Sequence, residues 1–232
     1  MGMSRFIKAV QGAFHSIVYT DEAGRFFRFS GGTWAWRNHN PGNIVSGSIS
    51  HRHGQIGFAC SSPTGDKFAI FPDDESGHAA LIESLQTTFH EKSIPDLVKI
   101  YAPPTENDIV TYEKHLRSKT GVTDDRAVKD FTSEEFQKLW QAIELIEGYK
   151  VGKITEVYQI IAVQENKKRT ICRCCIAPDQ WASKEKCLEL AKESKLDVAV
   201  CTSRSGHPYM RAIPSSAFQK NLSTLEKMIV EE

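Results

Sequence analysis

Glu147 is the residue in this sequence best placed to do acid chemistry. Phe136, Leu139, Trp140, Ile143 and Ile146 recur at helical spacing, and eleven residues on from Phe136, seven from Trp140, the same stripe reaches Glu147. A carboxylate on an apolar stripe is desolvated, and in the last turn of a helix it also faces the negative end of the dipole. Both effects favour the protonated acid, the form a general acid needs to protonate a leaving glycosidic oxygen. The plain alternative is a helix end whose Glu points into water. The second candidate is the run Trp36-Arg37-Asn38-His39-Asn40-Pro41-Gly42-Asn43-Ile44. Its amides supply donors and acceptors of the kind that hold a sugar or peptide in a cleft. Asn, Pro and Gly are also turn formers, and composition alone does not separate cleft from turn.

Other groups compete for the chemistry. Glu106 lies in Tyr101-Ala102-Pro103-Pro104-Thr105-Glu106-Asn107-Asp108, where a first-turn helix acid favourable to the dipole is the simpler reading. Glu22 and Asp21 precede Gly24 in a turn and read as solvated; Asp66, in the turn before a strand, would serve as a second carboxylate, but a turn residue is the simpler reading. Cys60 with His51 or His53 would suit a thiol hydrolase, but no Cys/His signature surrounds them. Cys172 and Cys175 have zinc-ligand spacing without a second pair, and alternation makes Cys172 and Cys174 small buried hydrophobes; no metal or organic cofactor is expected. The formal net charge is zero, which gives no reason to expect nucleic acid or an anionic membrane as partner. No apolar run reaches the ~20 residues of a membrane span. Residues 1–10 lack the apolar core of a secretory signal, so the chain is expected to be made in the cytoplasm and, if it acts outside, to leave by another route.

The elements that must position these groups follow from periodicity and punctuation. Residues 15–72 read as turns and short strands, with Phe26, Phe27 and Phe29 after the Gly24 turn and Lys67-Phe68-Ala69-Ile70-Phe71 as a second strand. Residues 74–147 read as four helices. The first runs from about Gly77 to Phe89. The second starts at Ser93, boxed by Asp96; the third at Thr105, boxed by Asp108, carrying Ile109, Tyr112 and Leu116; the fourth at Thr132, boxed by Glu135 and ended by Gly148. Beyond Val151 the composition shifts to strands over 154–163, 170–176, 198–202 and 209–213 around a helix from Ser183 to about Glu193. The expectation is two domains, 1–150 and 151–232.

Order and spacing across residues 31 to 148 resemble a family of lysozyme-like peptidoglycan-cleaving domains found in bacteriophage virion proteins and in type VI secretion effectors. The matching pieces are Gly31-Gly32, the Trp36 to Ile44 run, Arg52-His53-Gly54-Gln55-Ile56-Gly57, Phe68-Ala69-Ile70-Phe71-Pro72 and Gly77 with Ala80-Leu81. Tyr101 to Asp108, Tyr112, Thr120-Gly121, Ala142-Ile143 and Glu147-Gly148 complete them. His39 stands where the family more often has Asn, and no His directly precedes Glu147. The resemblance implies a mainly helical lysozyme-like domain with a short β-hairpin region; together with the small C-terminal β-β-α-β-β unit read from the pattern beyond Val151, the expected fold class is α+β. The Glu147-Gly148 helix end is similar to the catalytic Glu-Gly of phage lysozymes, whereas the Asn-rich segment and Phe-x-x-Phe strand are similar to pieces of flagellar-type glucosaminidases that follow the catalytic Glu. A circularly permuted arrangement reconciles the order, and it requires Glu147 to face the Asn38 to Asn43 loop.

The implied activity is cleavage of peptidoglycan glycan strands, as muramidase, lytic transglycosylase or glucosaminidase. Glu147 is the first catalytic candidate, with Glu106 and Glu22 next. Arg37, Asn38, Asn40, Asn43 and Asn107 would line the cleft. Tyr101 and Tyr112 would offer a sugar-stacking face, though both fit a helical core equally well. The implied partners are peptidoglycan and, for an effector, an immunity protein and a secretion-apparatus component, with action in the periplasm or wall of a target bacterium. The alternatives are a non-catalytic wall-binding module and a Cys60-dependent wall amidase or peptidase. Residues 153 to 225 resemble a small bacterial domain of unknown function, which implies no activity.

Overall fold

Three strands rich in large apolar side chains open the chain: β1 (Phe6–Gln11), β2 (Ile17–Asp21) and β3 (Phe26–Ser30), each antiparallel to the next. The computed structural model describes residues 5–12, 15–62, 65–101, 109–167, 170–177, 180–196, 198–211 and 226–229. Aromatic faces hold the three strands together. Phe6 lies 4.6 Å and Phe29 4.7 Å from Tyr19, ring centre to ring centre, the cross-strand contact from which sheets draw stability. In the turn before β3, the buried Asp21 carboxylate accepts the Ala23 and Arg25 amides and pairs with the Arg25 guanidinium at 2.7 Å. Burial raises that carboxyl, but the Arg25 and Ala23 donors outweigh it and hold Asp21 below the usual carboxylate range.

Residues Gly31–Gly152 form one compact unit. It carries α1 (Trp34–Arg37), α2 (Ser48–Arg52), the hairpin of β4 (Gly57–Cys60) and β5 (Lys67–Ile70), and then α3 (Asp74–Thr87), α4 (Ile94–Tyr101), α5 (Ile109–Thr120) and α6 (Ser133–Glu147). Local chemistry sets the ends of the helices. Asp73 caps α3 by accepting the Ser76 amide, so the helix starts three residues before the expected Gly77. Ser93 and Asp96 close the start of α4. Thr132 and Glu135 exchange hydrogen bonds at the start of α6, and Gly148, at φ 72°, ends it in the left-handed conformation. The Thr105–Asp108 box expected for α5 lies outside the described residues. Leu81, Leu85, Leu97, Leu116, Leu139 and Ile143 interlock as the core, each fully buried aliphatic contributing roughly 2 kcal/mol. The two ends of the unit meet: the Thr33 amide donates to the Lys150 carbonyl at 3.0 Å, and the Lys150 amide donates to the Thr33 hydroxyl at 3.1 Å.

The second unit comprises Met1–Ser30 and Lys153–Glu232. Its β6 (Lys153–Val157) pairs with β3, Ser30 opposite Lys153, so the sheet runs β1-β2-β3-β6. A second sheet orders β7 (Ala162–Glu165), β8 (Ile171–Ala177), β9 (Gln180–Ser183) and β12 (Glu226–Ile229) as β12-β7-β8-β9, with β12 parallel to β7. Between them in sequence come α7 (Lys184–Lys192), capped by the Ser183 hydroxyl, and the β10 (Ala199–Thr202)–β11 (Pro208–Arg211) hairpin. Cys187 and Leu190 of α7 pack on Val163, Cys174 and Ile176.

The expected mainly helical lysozyme-like domain is not what forms. Among the described residues the chain has twelve strands in four sheets beside seven α-helices, and three of those strands lie between Phe6 and Ser30, in one sheet with the strand that begins at Lys153. The small β-β-α-β-β domain is also corrected. The expected 154–163 strand breaks into β6 and β7 in different sheets, because the Tyr158 amide turns to the Lys195 carbonyl and the Ile161 amide to the Cys175 carbonyl, and β9 and β12 are added. Within residues 15–72, segments expected as turns form α1 and α2. No helix among the described residues is long and apolar enough to cross a membrane.

Candidate functional site

Glu147 ends α6 partly buried, with both carboxylate oxygens held. The Asn43 amide nitrogen donates to Oε2 at 2.8 Å, and the Tyr112 hydroxyl donates to Oε1 at 2.9 Å. Tyr112 projects from α5 on the stripe that also carries Leu116 and is only 3% exposed, so its ring belongs to the core and its hydroxyl to the acid. The sequence stripe thus brings Glu147 to a half-buried position against Tyr112 and Asn43, and the left-handed Gly148 turns the chain away directly after it.

The loop that brings Asn43 there is pinned throughout. Asn40 donates to the Ile44 and Ala69 carbonyls at 2.9 and 3.0 Å and accepts the Ile44 amide at 2.8 Å. The Asn38 carbonyl accepts the Phe71 amide, while His39 Nδ1 lies 3.3 Å from the Phe71 carbonyl. His39 and Asn43 sit at φ 48° and 45°, a region Asn tolerates better than most residues. Burial keeps the His39 imidazole below its ordinary range against the opposing pull of Asp74, the Phe71 carbonyl and Asp73. Arg37, 7% exposed, donates to the Gly31 and Gly32 carbonyls and lies 5.0 Å from the Trp34 ring centre.

A second polar cluster flanks the acid. Glu144 precedes Glu147 by three residues and therefore shares its helix face. His78 of α3 places Nε2 3.2 Å from Glu144 Oε2 and Nδ1 2.8 Å from the Asp74 carbonyl. A carbonyl can only accept, so Nδ1 carries a proton. Trp140 stands edge-on to that imidazole at 5.6 Å. Tyr149 donates its hydroxyl to the Asp74 carboxylate, and burial followed by that bond pushes the phenol well above its ordinary value, keeping it a neutral donor.

The structure therefore gathers Glu147, Asn43 and Tyr112. Asn38 and Asn40 are fully buried; the Asn40 amide and the Arg37 guanidinium support the loop through their side chains, and Asn38 through its backbone carbonyl. Tyr101 is the last residue of α4. Glu106 and Asn107 lie outside the described residues. Glu22 is exposed in the β2–β3 turn of the other unit. His53 places Nε2 2.6 Å from Glu83, whose carboxyl is held low first by its bond from Arg52 and then by that from His53. Cys172 and Cys175 donate their thiols to the Gln164 and Ala177 carbonyls; among the described residues no three potential metal ligands converge. Sequence reasoning missed His78 and Glu144. Glu144 was accessible, because a helical wheel sets it beside Glu147; His78 was not, because nothing local to α3 announces its partner. A cleft of about 360 Å³ opens elsewhere in the unit, lined by Gln86, His90, Phe131 and Phe136 and by none of the Glu147 group.

No protein-family model matches the chain, and no curated protein matches it.

Proposed function

We propose that the Gly31–Gly152 unit cleaves peptidoglycan glycan strands with Glu147 as general acid. The observation that carries the reading is the convergence of Asn43 and Tyr112, 104 and 35 positions away in sequence, on the two oxygens of one carboxyl group. Protonated Glu147 gives its proton to the glycosidic oxygen as the bond to the anomeric carbon breaks. The carboxylate left behind is met by two donors already in place, which requires no reorganisation during the reaction. Glu144, on the same helix face, is the second carboxylate such chemistry uses as base or nucleophile. The similarity of residues 31 to 148 to wall-cleaving sequences points to the same substrate.

The same saturation supports a second reading, a wall-binding module in which Glu147 is a latch tying the Asn43 loop to α5 and α6. Glu147→Gln separates the two. Incubated with purified sacculi, the wild type should release muropeptides detectable by mass, and Glu147→Gln should release them at least about 100-fold more slowly while still pelleting with sacculi. A wild type that pellets but releases nothing leaves the latch reading, and a fully active Glu147→Gln removes Glu147 from catalysis. Delivery as a type VI effector or as a phage component rests on the sequence similarity. An effector requires an immunity protein, so restoration of growth by a neighbouring gene distinguishes the two routes.

A further inference from the structure

We propose that Trp34, Phe68 and Val45 form a shelf that stacks against a sugar ring of the glycan strand, one subsite away from Glu147. The identity of the strand rests on the function proposed above; the stacking itself requires no cleavage. The segment after Asn43 runs antiparallel along β5. The Ala69 amide donates to the Ile44 carbonyl at 2.9 Å, the Ser46 amide donates to the Lys67 carbonyl at 2.6 Å, and Val45 bridges Phe68. Directly opposed residues of an antiparallel pair project to the same face, so Val45 and Phe68 stand side by side. Val45 is 51% exposed. The Trp34 ring lies 6.4 Å from Phe68 and is tilted 41° to it, extending the apolar surface.

The shelf is rigid before any ligand arrives. Arg37 lies over the Trp34 ring and is itself anchored on the Gly31 and Gly32 carbonyls. Asn40 ties the loop to β5 through the Ala69 carbonyl. A preformed aromatic surface loses little entropy on binding. It is also joined to the acid by two residues of chain, since Asn43 donates to Glu147 and Val45 follows within about 7 Å of backbone. A pyranose offers an apolar C–H face and a polar rim, which matches a small aromatic shelf flanked by an amide and a carboxyl. Three side chains are too few for a stable protein interface, which takes about 800 Å² from each partner.

The test measures binding apart from turnover. Full-length protein carrying Glu147→Gln is titrated with a soluble N-acetylglucosamine hexamer and pelleted with purified sacculi. Adding Trp34→Ala or Val45→Asp should weaken both interactions about tenfold or more with melting temperature preserved. Val45 is exposed, so Val45→Asp keeps the test decisive even where Trp34→Ala folds poorly. The shelf is overturned if Val45→Asp binds as tightly as its parent, if the parent binds neither glycan, or if sedimentation shows Val45→Asp splitting a dimer while glycan binding is unchanged. Should wild type fail to digest sacculi while the shelf variants still lose binding, the cleavage reading falls and the shelf stands. Loss of digestion in Glu147→Gln with intact binding in Val45→Asp gives the converse.

Discussion

Replacing Gly77 by alanine should unseat the loop that carries Asn43. A Cβ at position 77 would lie 1.9 Å from the His39 carbonyl oxygen and 2.9 Å from Pro41 Cδ. Neither atom is the end of a flexible side chain, so reaching ordinary contact requires the loop or α3 to retreat by about 1.5 Å. The loop is poorly able to yield, because the Asn38 carbonyl just before His39 holds the Phe71 amide and Asn40 just after it holds two carbonyls and an amide. Overpacking of this kind costs about 1–3 kcal/mol, more where backbone is displaced, against a helix-propensity gain of about 1 kcal/mol for alanine over glycine. The expected net loss is about 2 kcal/mol, a fall in melting temperature of roughly 5–10 °C for a unit of this size. A shift of that length also takes Asn43 out of hydrogen-bond range of Glu147, so muropeptide release should fall more than about tenfold at temperatures where the variant is fully folded. Urea unfolding followed by tryptophan fluorescence, with sacculus digestion on the same samples, checks both. A Gly77→Ala protein that melts at or above wild type, as helix propensity alone would have it, refutes the seating of the loop on α3.

Two further predictions concern the same loop. Asn40→Ala strips partners from the Ile44 and Ala69 carbonyls and the Ile44 amide and should cost about 2–4 kcal/mol by urea unfolding; a loss well under 1 kcal/mol would show that Asn40 is not the staple. His39→Asn should remove part of the acid sensitivity of the fold. The partly buried imidazole binds its proton less readily in the folded chain than in the unfolded one, so its contribution is complete above an unfolded value of about 6.5, declines as pH falls through it, and levels off below the folded value. The melting temperature of His39→Asn relative to that of wild type should rise from about pH 7.5 to about pH 5, and a difference that stays constant counts against a lowered His39 imidazole.

Legibility differed sharply between local and distant features. The Thr132–Glu135 box, the Gly148 stop and the Ser93–Asp96 start were readable because each involves residues within four positions of one another, where one side chain can reach one backbone amide. α3 starts at Asp74, three residues before the expected Gly77, and the lack of a Cβ at Gly77 serves the approach of the His39 carbonyl. The mainly helical expectation failed on β1, while β6 overlaps the expected 154–163 strand but lies in a sheet with β3. Each acquires its place through a neighbour distant in sequence or outside its own pattern: β1 through the ring contacts of Phe6, β6 through pairing with β3. Among the asparagines, sequence marked the group without ranking it. Asn40 and Asn43 have the same chemistry, yet one staples backbone and the other meets Glu147.

The sequence by itself determined that a carboxylate closes the apolar stripe of α6, that the helix stops directly after it, and that an amide-rich turn precedes β5, because helical period, capping and turn preference act over a few residues. Only the tertiary structure decided that Asn43 and Tyr112, and not Asn38 or Asn40, hold Glu147, that His78 reaches Glu144, and that Trp34 and Val45 gather at Phe68. Those contacts join segments separated by tens of residues, and their geometry is set by which apolar faces pack together and by where a glycine lets two backbones approach, neither of which is written in local spacing.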